Sequence, residues 1–135
     1  MLKAVCLDTR ILSMFLKGKQ SAKKLINNFK TKEFEVYTTT VNISEFFMGY
    51  YKTNIVVEDD VRRLKDFFWT LHPRSIDFEV AHLSGKLYAT ILKDQPIGWR
   101  DTFIAAITLL NGKKIVTSNV DHFKRIPELE LFEYK

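Results

Sequence analysis

Residues 4–9 read Ala4-Val5-Cys6-Leu7-Asp8-Thr9, and the reading of this stretch decides the fold. Four apolar residues in a row, closed by an acid, form a short run that reads as a buried strand. A helical pattern begins at once: Ile11, Leu12, Phe15 and Leu16 share one face through Lys17, and Gly18 is placed to end that helix. The same spacing returns over Ser21 to Phe29, with Ala22, Leu25, Ile26 and Phe29 apolar. Phe34 to Tyr37 is a second strand candidate, and Thr38-Thr39-Thr40 a polar turn after it.

Outward from there the alternation continues. Helices are expected over Val41 to Tyr51 and Glu58 to Leu71, the latter stopped by Pro73. Arg74-Ser75-Ile76-Asp77 has the length of a third strand, and Phe78 to Leu92 the pattern of a long helix. A loop at Gln95-Pro96-Ile97-Gly98-Trp99 leads to Asp101, placed as the N-cap of a helix over Thr102 to Leu110. Lys114 to Thr117 is a fourth strand, Asn119 to Ile126 a short helix or turn stopped by Pro127, and Glu130 to Phe132 a last strand. Strands alternating with helices imply a parallel sheet covered on both faces. The expectation is one three-layer α/β/α domain over residues 1–135, with a mainly parallel sheet of four to five strands.

Composition agrees with this and excludes several classes. Eleven Phe against 5 Gly and 3 Pro rule out a linker-like or disordered chain. The single cysteine, Cys6, excludes a disulfide scaffold and a thiol-based zinc site, and its apolar neighbours place it in the core. No stretch is long and apolar enough to span a bilayer. The run from Met1 to Leu7 is broken by Asp8 and Arg10 before a signal core can form, so a cytoplasmic protein is expected.

The formal net charge of +5 is unevenly spread. Residues 1–35 contain eight basic side chains (Lys3, Arg10, Lys17, Lys19, Lys23, Lys24, Lys30, Lys32) against Asp8, Glu33 and Glu35, and so carry the entire excess. A basic N-terminal third could face phosphates, or could be a solvated helix surface.

In an open parallel sheet the working cleft lies at the carboxyl ends of the strands. Asp8 follows the first strand, and Asn119 and Asp121 follow the fourth. Asp101 opens the helix leading into that strand, and Glu45 lies one turn into its own helix. Each has a plain structural reading: Asp8 and Asp101 as helix caps worth about 1 kcal/mol, Glu45 as a solvated helix residue. Together they mean more, because acids heading apolar helices aim at the sheet. Converging carboxylates repel one another and persist when a cation neutralises them, and an all-oxygen site of this kind selects Mg²⁺ or Mn²⁺. Such ions can activate a water and stabilise both oxygens of an in-line displacement at phosphorus. A basic surface beside an acidic metal cleft is the combination expected for cutting nucleic acid.

The segments Leu7-Asp8-Thr9, Ser44-Glu45-Phe46-Phe47-Met48-Gly49, Asp101-Thr102-Phe103-Ile104-Ala105-Ala106 and Val116-Thr117-Ser118-Asn119-Val120-Asp121-His122-Phe123 occur in the order and rough spacing of PIN domains. They resemble most closely the VapC-type ribonuclease toxins of prokaryotic toxin–antitoxin pairs, as does the ending Arg125-Ile126-Pro127-Glu128-Leu129-Glu130-Leu131. The resemblance spans the chain and implies a Mg²⁺-dependent endoribonuclease, usually a homodimer, held inactive by a cognate antitoxin. It assigns Asp8, Glu45 and Asp101 to the metal, with Asn119 at the fourth position. Asp121 could supply the charge that an amide lacks, and Thr117 matches a hydroxyl that bonds a carboxylate. Arg10 departs from the pattern and could touch substrate phosphate or pair with an acid. These departures leave open a catalytically silent nucleic-acid-binding module, or a PIN nuclease of RNA processing.

Other side chains carry less. His72, His82 and His122 show no metal-ligand spacing and are read as packing residues, and Ser44 and Ser118 lack a partner histidine. Phe67, Phe68 and Trp69 cannot all face inward, so at least one is expected at an interface. Trp99 could stack on a base at the cleft mouth, or could pack as a lid on the Pro96–Gly98 loop.

Overall fold

Alternation along the first strand builds both halves of the core. The computed structural model describes residues 3–135, so Met1 and Leu2, the start of the N-terminal apolar run, lie outside the described residues. In β1 (Ala4–Leu7) every residue is fully buried. Ala4 and Cys6 point to one side of the sheet, and Val5 and Leu7 to the other. Burial drives the Cys6 thiol pKa well up, so it is an inert core group.

The chain continues through α1 (Thr9–Leu16), α2 (Gln20–Thr31), β2 (Glu35–Tyr37), α3 (Thr40–Thr53), α4 (Glu58–Trp69), α5 (Phe78–Ala89), α6 (Trp99–Leu109), β3 (Lys114–Thr117), α7 (Val120–Phe123) and β4 (Glu130–Glu133). The four strands are ordered β2-β1-β3-β4 and every pairing is parallel. One face is covered through Val80, Leu87, Ile104, Ile107 and Phe123, from α5, α6 and α7. The other is covered through Ile11, Leu12, Ala22, Ile26, Phe29 and Phe68, from α1, α2 and α4. This is the three-layer arrangement expected.

The order of strands sets where a cleft can open. From β1 the chain moves to β2 on one side, while β3 sits on the other side of β1 and leads outward to β4. The carboxyl ends of β1 and β3 therefore flank the topological switch point, where an open α/β sheet forms its crevice.

Two expectations are corrected. Arg74–Asp77 is not a third strand: it meets the sheet through one parallel bridge, Thr39 with Arg74. Arg74 N–H donates to the Thr38 carbonyl and its own carbonyl accepts from Thr40, beyond the end of β2, and Asp77 then turns to cap α5. Too few residues remain for a ladder. Asp101 is not an N-cap either. The helix starts three residues earlier than the pattern predicts, behind Gly98 at φ 88°, and Asp101 lies in its first turn. Of the three consecutive aromatics, Phe68 is buried, Phe67 is half-buried and Trp69 is exposed.

Gly112 turns the chain from α6 into β3 with φ +98°, and a Cβ there would lie 3.1 Å from the Ala4 carbonyl oxygen. Both the backbone conformation and the close approach exclude a side chain. Gly112→Ala is expected to lower stability by about 1–3 kcal/mol, read as a reduced urea midpoint with unchanged slope.

Candidate active site

Asp8 ends β1 and caps α1, with Oδ1 accepting from the Thr9 N–H at 2.9 Å. The same oxygen accepts from Asn42 Nδ2 at 2.7 Å, and Oδ2 accepts from Thr117 Oγ1, at the end of β3, at 2.6 Å. Cap and site are thus the same carboxylate. Thr117 Oγ1 also accepts from the Asn119 N–H at 2.9 Å, which fixes the turn leading out of β3.

Asn42 is held in turn by Thr39, the N-cap of α3. Thr39 Oγ1 accepts from the Asn42 N–H at 3.0 Å and donates to Asn42 Oδ1 at 2.7 Å. Thr39 and Asn42 are fully buried, as is Thr38, whose hydroxyl donates to the Leu7 carbonyl. The polar threonine turn after β2 is therefore part of the support beneath the acids. Asn42 Nδ2 also donates to Thr9 Oγ1 at 3.0 Å, and Thr9 donates to Glu45 Oε1 at 3.0 Å. Arg100 approaches the other oxygen of Glu45 at 3.7 Å.

A second cluster holds Asp101. Its Oδ2 accepts from Asn119 Nδ2 at 3.0 Å and lies 2.7 Å from His122 Nδ1. With its proton on Nδ1, the imidazole donates to the carboxylate, whose side chain is only 16% exposed. Asp8, Glu45, Asp101 and Asn119 all line one cleft of about 690 Å³, together with Arg10, Trp99, Arg100 and His122.

Burial dominates the electrostatics of the acids, and their mutual repulsion adds to it. Burial pushes the Asp8 carboxyl above its ordinary value. Hydrogen bonds from Thr117, Thr9 and Asn42 pull it down, and the Asp101 charge pushes it up. Glu45 is raised first by burial and then by the charges of Asp8 and Asp101, with the Thr9 bond and Arg100 opposing. The donors are oxygens, and Asp101 Oδ1 and Asn119 Oδ1 take no hydrogen bond among the described residues. That set fits Mg²⁺ or Mn²⁺ by its chemistry. Among the described residues, no three His, Cys, Asp or Glu side chains are already grouped so that they could hold a metal ion.

Not every residue singled out from the sequence comes to the cleft. Asp121 is 82% exposed and pairs with Lys124 at 3.1 Å, facing away. Arg10 lines the cleft and makes no ion pair with an acid among the described residues. Of the basic third, Lys3 and Lys32 stand at the amino ends of β1 and β2, away from the carboxyl ends that form the cleft, and Lys3 Nζ donates to the Lys32 carbonyl at 3.4 Å. Lys17 lines a groove beside the cleft that shares Thr9 and Glu45. Sequence reading misses Thr9, Asn42, Arg100 and His122. Two carry a usable signal: Asn42 precedes Glu45 by three residues on one helix face, and Asn119 precedes His122 by the same step.

The sequence profile of the PIN domain matches residues 5–129. Ribonuclease VapC of Rickettsia bellii (strain RML369-C) is 31% identical over 134 residues, covering 92% of this chain and 91% of that protein. The structure of VapBC2 from Rickettsia felis bound to a DNA fragment from their promoter superposes with TM-score 0.82, at 23% identity, over 98% of this chain and 99% of that one. A toxin–antitoxin complex from Klebsiella pneumoniae superposes with TM-score 0.72, at 20% identity, over 96% and 99%. The chain therefore belongs to the PIN-domain family, and within it to the VapC ribonucleases. No helix among the described residues is long and apolar enough to cross a membrane.

The raised Asp8 and Glu45 values have a consequence for stability. An acid whose folded pKa lies above its unfolded one stabilises fully below the unfolded value, about 4. That contribution is lost as pH rises through the folded value. In chelator, Asp8→Asn is expected to raise the melting temperature by a few degrees at neutral pH, with the advantage over wild type shrinking below pH 4. Thermal melts of both proteins from pH 3.5 to 8 check this; an advantage largest in acid contradicts it.

Proposed function

We propose that the chain is a Mg²⁺-dependent endoribonuclease that hydrolyses phosphodiester bonds and serves as the toxin of a toxin–antitoxin pair. The observation that carries this reading is the convergence of Asp8, Glu45 and Asp101, from three different elements, on one cleft at the switch point of the sheet. Asp8, Glu45 and Asp101 hold the ion, with Asn119 at the fourth position. When bound, Mg²⁺ supplies polarisation of the scissile phosphate and a lowered pKa for the attacking water.

The chain's own residues prepare that site. Asn42, Thr117 and the Thr9 amide fix both oxygens of Asp8, so its orientation is set before substrate arrives. Thr9 aims Glu45, and His122 and Asn119 aim Asp101. Arg10 and Arg100 give the cleft two guanidinium groups for the RNA backbone. Asp121 has no part in this reading, since its carboxylate is engaged with Lys124 at the surface.

The likeness to VapBC assemblies and to a toxin–antitoxin complex supports a cognate antitoxin as the partner. The chain is further read as a single domain, as a homodimer, and as cytoplasmic.

Asp8→Ala and Asp101→Asn are each expected to reduce RNA cleavage in Mg²⁺ by more than about a hundredfold, because loss of a ligand exceeds the 10–100-fold effect of losing a residue that orients one. His122→Ala is expected to fall within that 10–100-fold range. Cleavage of labelled single-stranded RNA with and without chelator measures both. Activity that survives both acid substitutions, or survives chelation, overturns the mechanism.

A further inference from the structure

We propose that Trp99 is a stacking platform for an unpaired base of the substrate, at the mouth of the catalytic cleft. The inference rests on the proposed nuclease function. Trp99 is the first residue of α6, two residues ahead of Asp101, and it lines the same cleft. It is 54% exposed, so about half of its surface is open to a ligand at the cleft.

The indole is nevertheless held in place. Tyr88 of α5 stacks on it with ring centroids 4.5 Å apart and planes at 4°, and Phe103 approaches from the next turn at 5.7 Å. Trp69 differs on this point: it is 79% exposed and takes part in no ring pair among the described residues. A tryptophan stacked on Tyr88, flanked by Phe103 and still half exposed beside the acids is preorganised to receive another ring. The groups around it match a nucleotide. Arg100 is its neighbour in sequence and Arg10 lines the same cleft, so a π surface and two cations border one opening. A base can present its face to such a platform only when it is unpaired, which selects single-stranded RNA over a duplex. Stacking tolerates any base, so this contact places the strand relative to the acids without reading its sequence.

The test combines kinetics with fluorescence. Trp99→Ala is expected to lower kcat/KM on single-stranded RNA by about tenfold, mostly through KM, with Trp99→Phe recovering much of the loss. An abasic nucleotide walked through the substrate should lower wild-type cleavage by a similar factor at one position beside the cut. It should lower Trp99→Ala no further at that position, because the two changes remove one contact. With Trp69→Phe leaving Trp99 as the single tryptophan, and Asp8→Asn preventing cleavage, added RNA should quench its emission. Losses that multiply, or emission that does not move, overturn the proposal. So does a Trp99→Ala protein that changes its oligomeric state with unchanged kinetics, which would make the indole a contact between copies. If Trp99→Ala fails to fold, the abasic series on wild type decides alone: no sensitive position overturns the proposal. Wild type that leaves intact RNA uncut refutes the nuclease reading itself, so the two failures are separable.

Discussion

A carboxylate buried at the end of β1 is the constraint around which the rest of this protein is organised. Asp8 sits where the chain passes from a fully buried strand into a helix, and burial opposes its charge. Three donors from three places answer that: the first amide of α1, an asparagine of α3 and a threonine at the end of β3. Each side-chain donor is itself fixed, Asn42 by the Thr39 cap and Thr117 by its bond with the Asn119 amide. The hydrogen bonds that hold the acid also tie β1 to β3 and to α3. Positioning of the acid and the joining of the two central strands at their carboxyl ends are thus one network.

The same network leaves a conflict unresolved. The charges of Asp8 and Asp101 raise the proton affinity of Glu45, Asp101 raises that of Asp8, and Arg100 at 3.7 Å offsets only part of the repulsion on Glu45. A fold optimised for stability alone would replace at least one of these acids. They meet at a switch point while every buried polar side-chain atom among the described residues is satisfied, so the repulsion is local to the cleft and is what the proposed metal site would use. The strain is electrostatic, confined to the cleft, and relieved by whatever positive charge enters there.

How much of this is legible in the sequence depends on the range of the forces involved. Ala4–Leu7 is recognisable as a strand because burial on both faces demands an unbroken apolar run, and the structure gives the same limits. Arg74–Asp77 misleads because length and β-branching say nothing about whether a neighbour is in reach, and only one bridge forms. Asp101 resembles a cap because the acid precedes an apolar helix. The real start at Gly98 depends on a backbone conformation that residue type merely permits. The resemblance to PIN domains singles out the three acids and Asn119, and the structure brings them to one cleft. Their supports are not singled out: Thr9 and Asn42 reach Glu45 and Asp8 across more than thirty residues. His122 looks like an ordinary helix residue until the packing of α6 on α7 brings Asp101 to 2.7 Å.

The folded chain also changes what its charge means. A net +5 concentrated in the first 35 residues suggests a broad cationic face, yet Lys3 and Lys32 lie at the amino ends of the strands, opposite the cleft. Near the cleft the cations are few: Arg10 and Arg100 in its wall, and Lys17 in the adjoining groove. Counterion release scales with the number of phosphates neutralised, so on the proposed reading these few cations would add little to affinity and leave a shallow salt dependence. Affinity and placement must then come from contacts other than bulk charge. Those on offer are the oxygens of the acid cluster, through the ion they suit, and the open face of a clamped indole beside them. Both lie within a few residues of Asp101, so on the proposed reading the placement of the strand and its cleavage would share one surface.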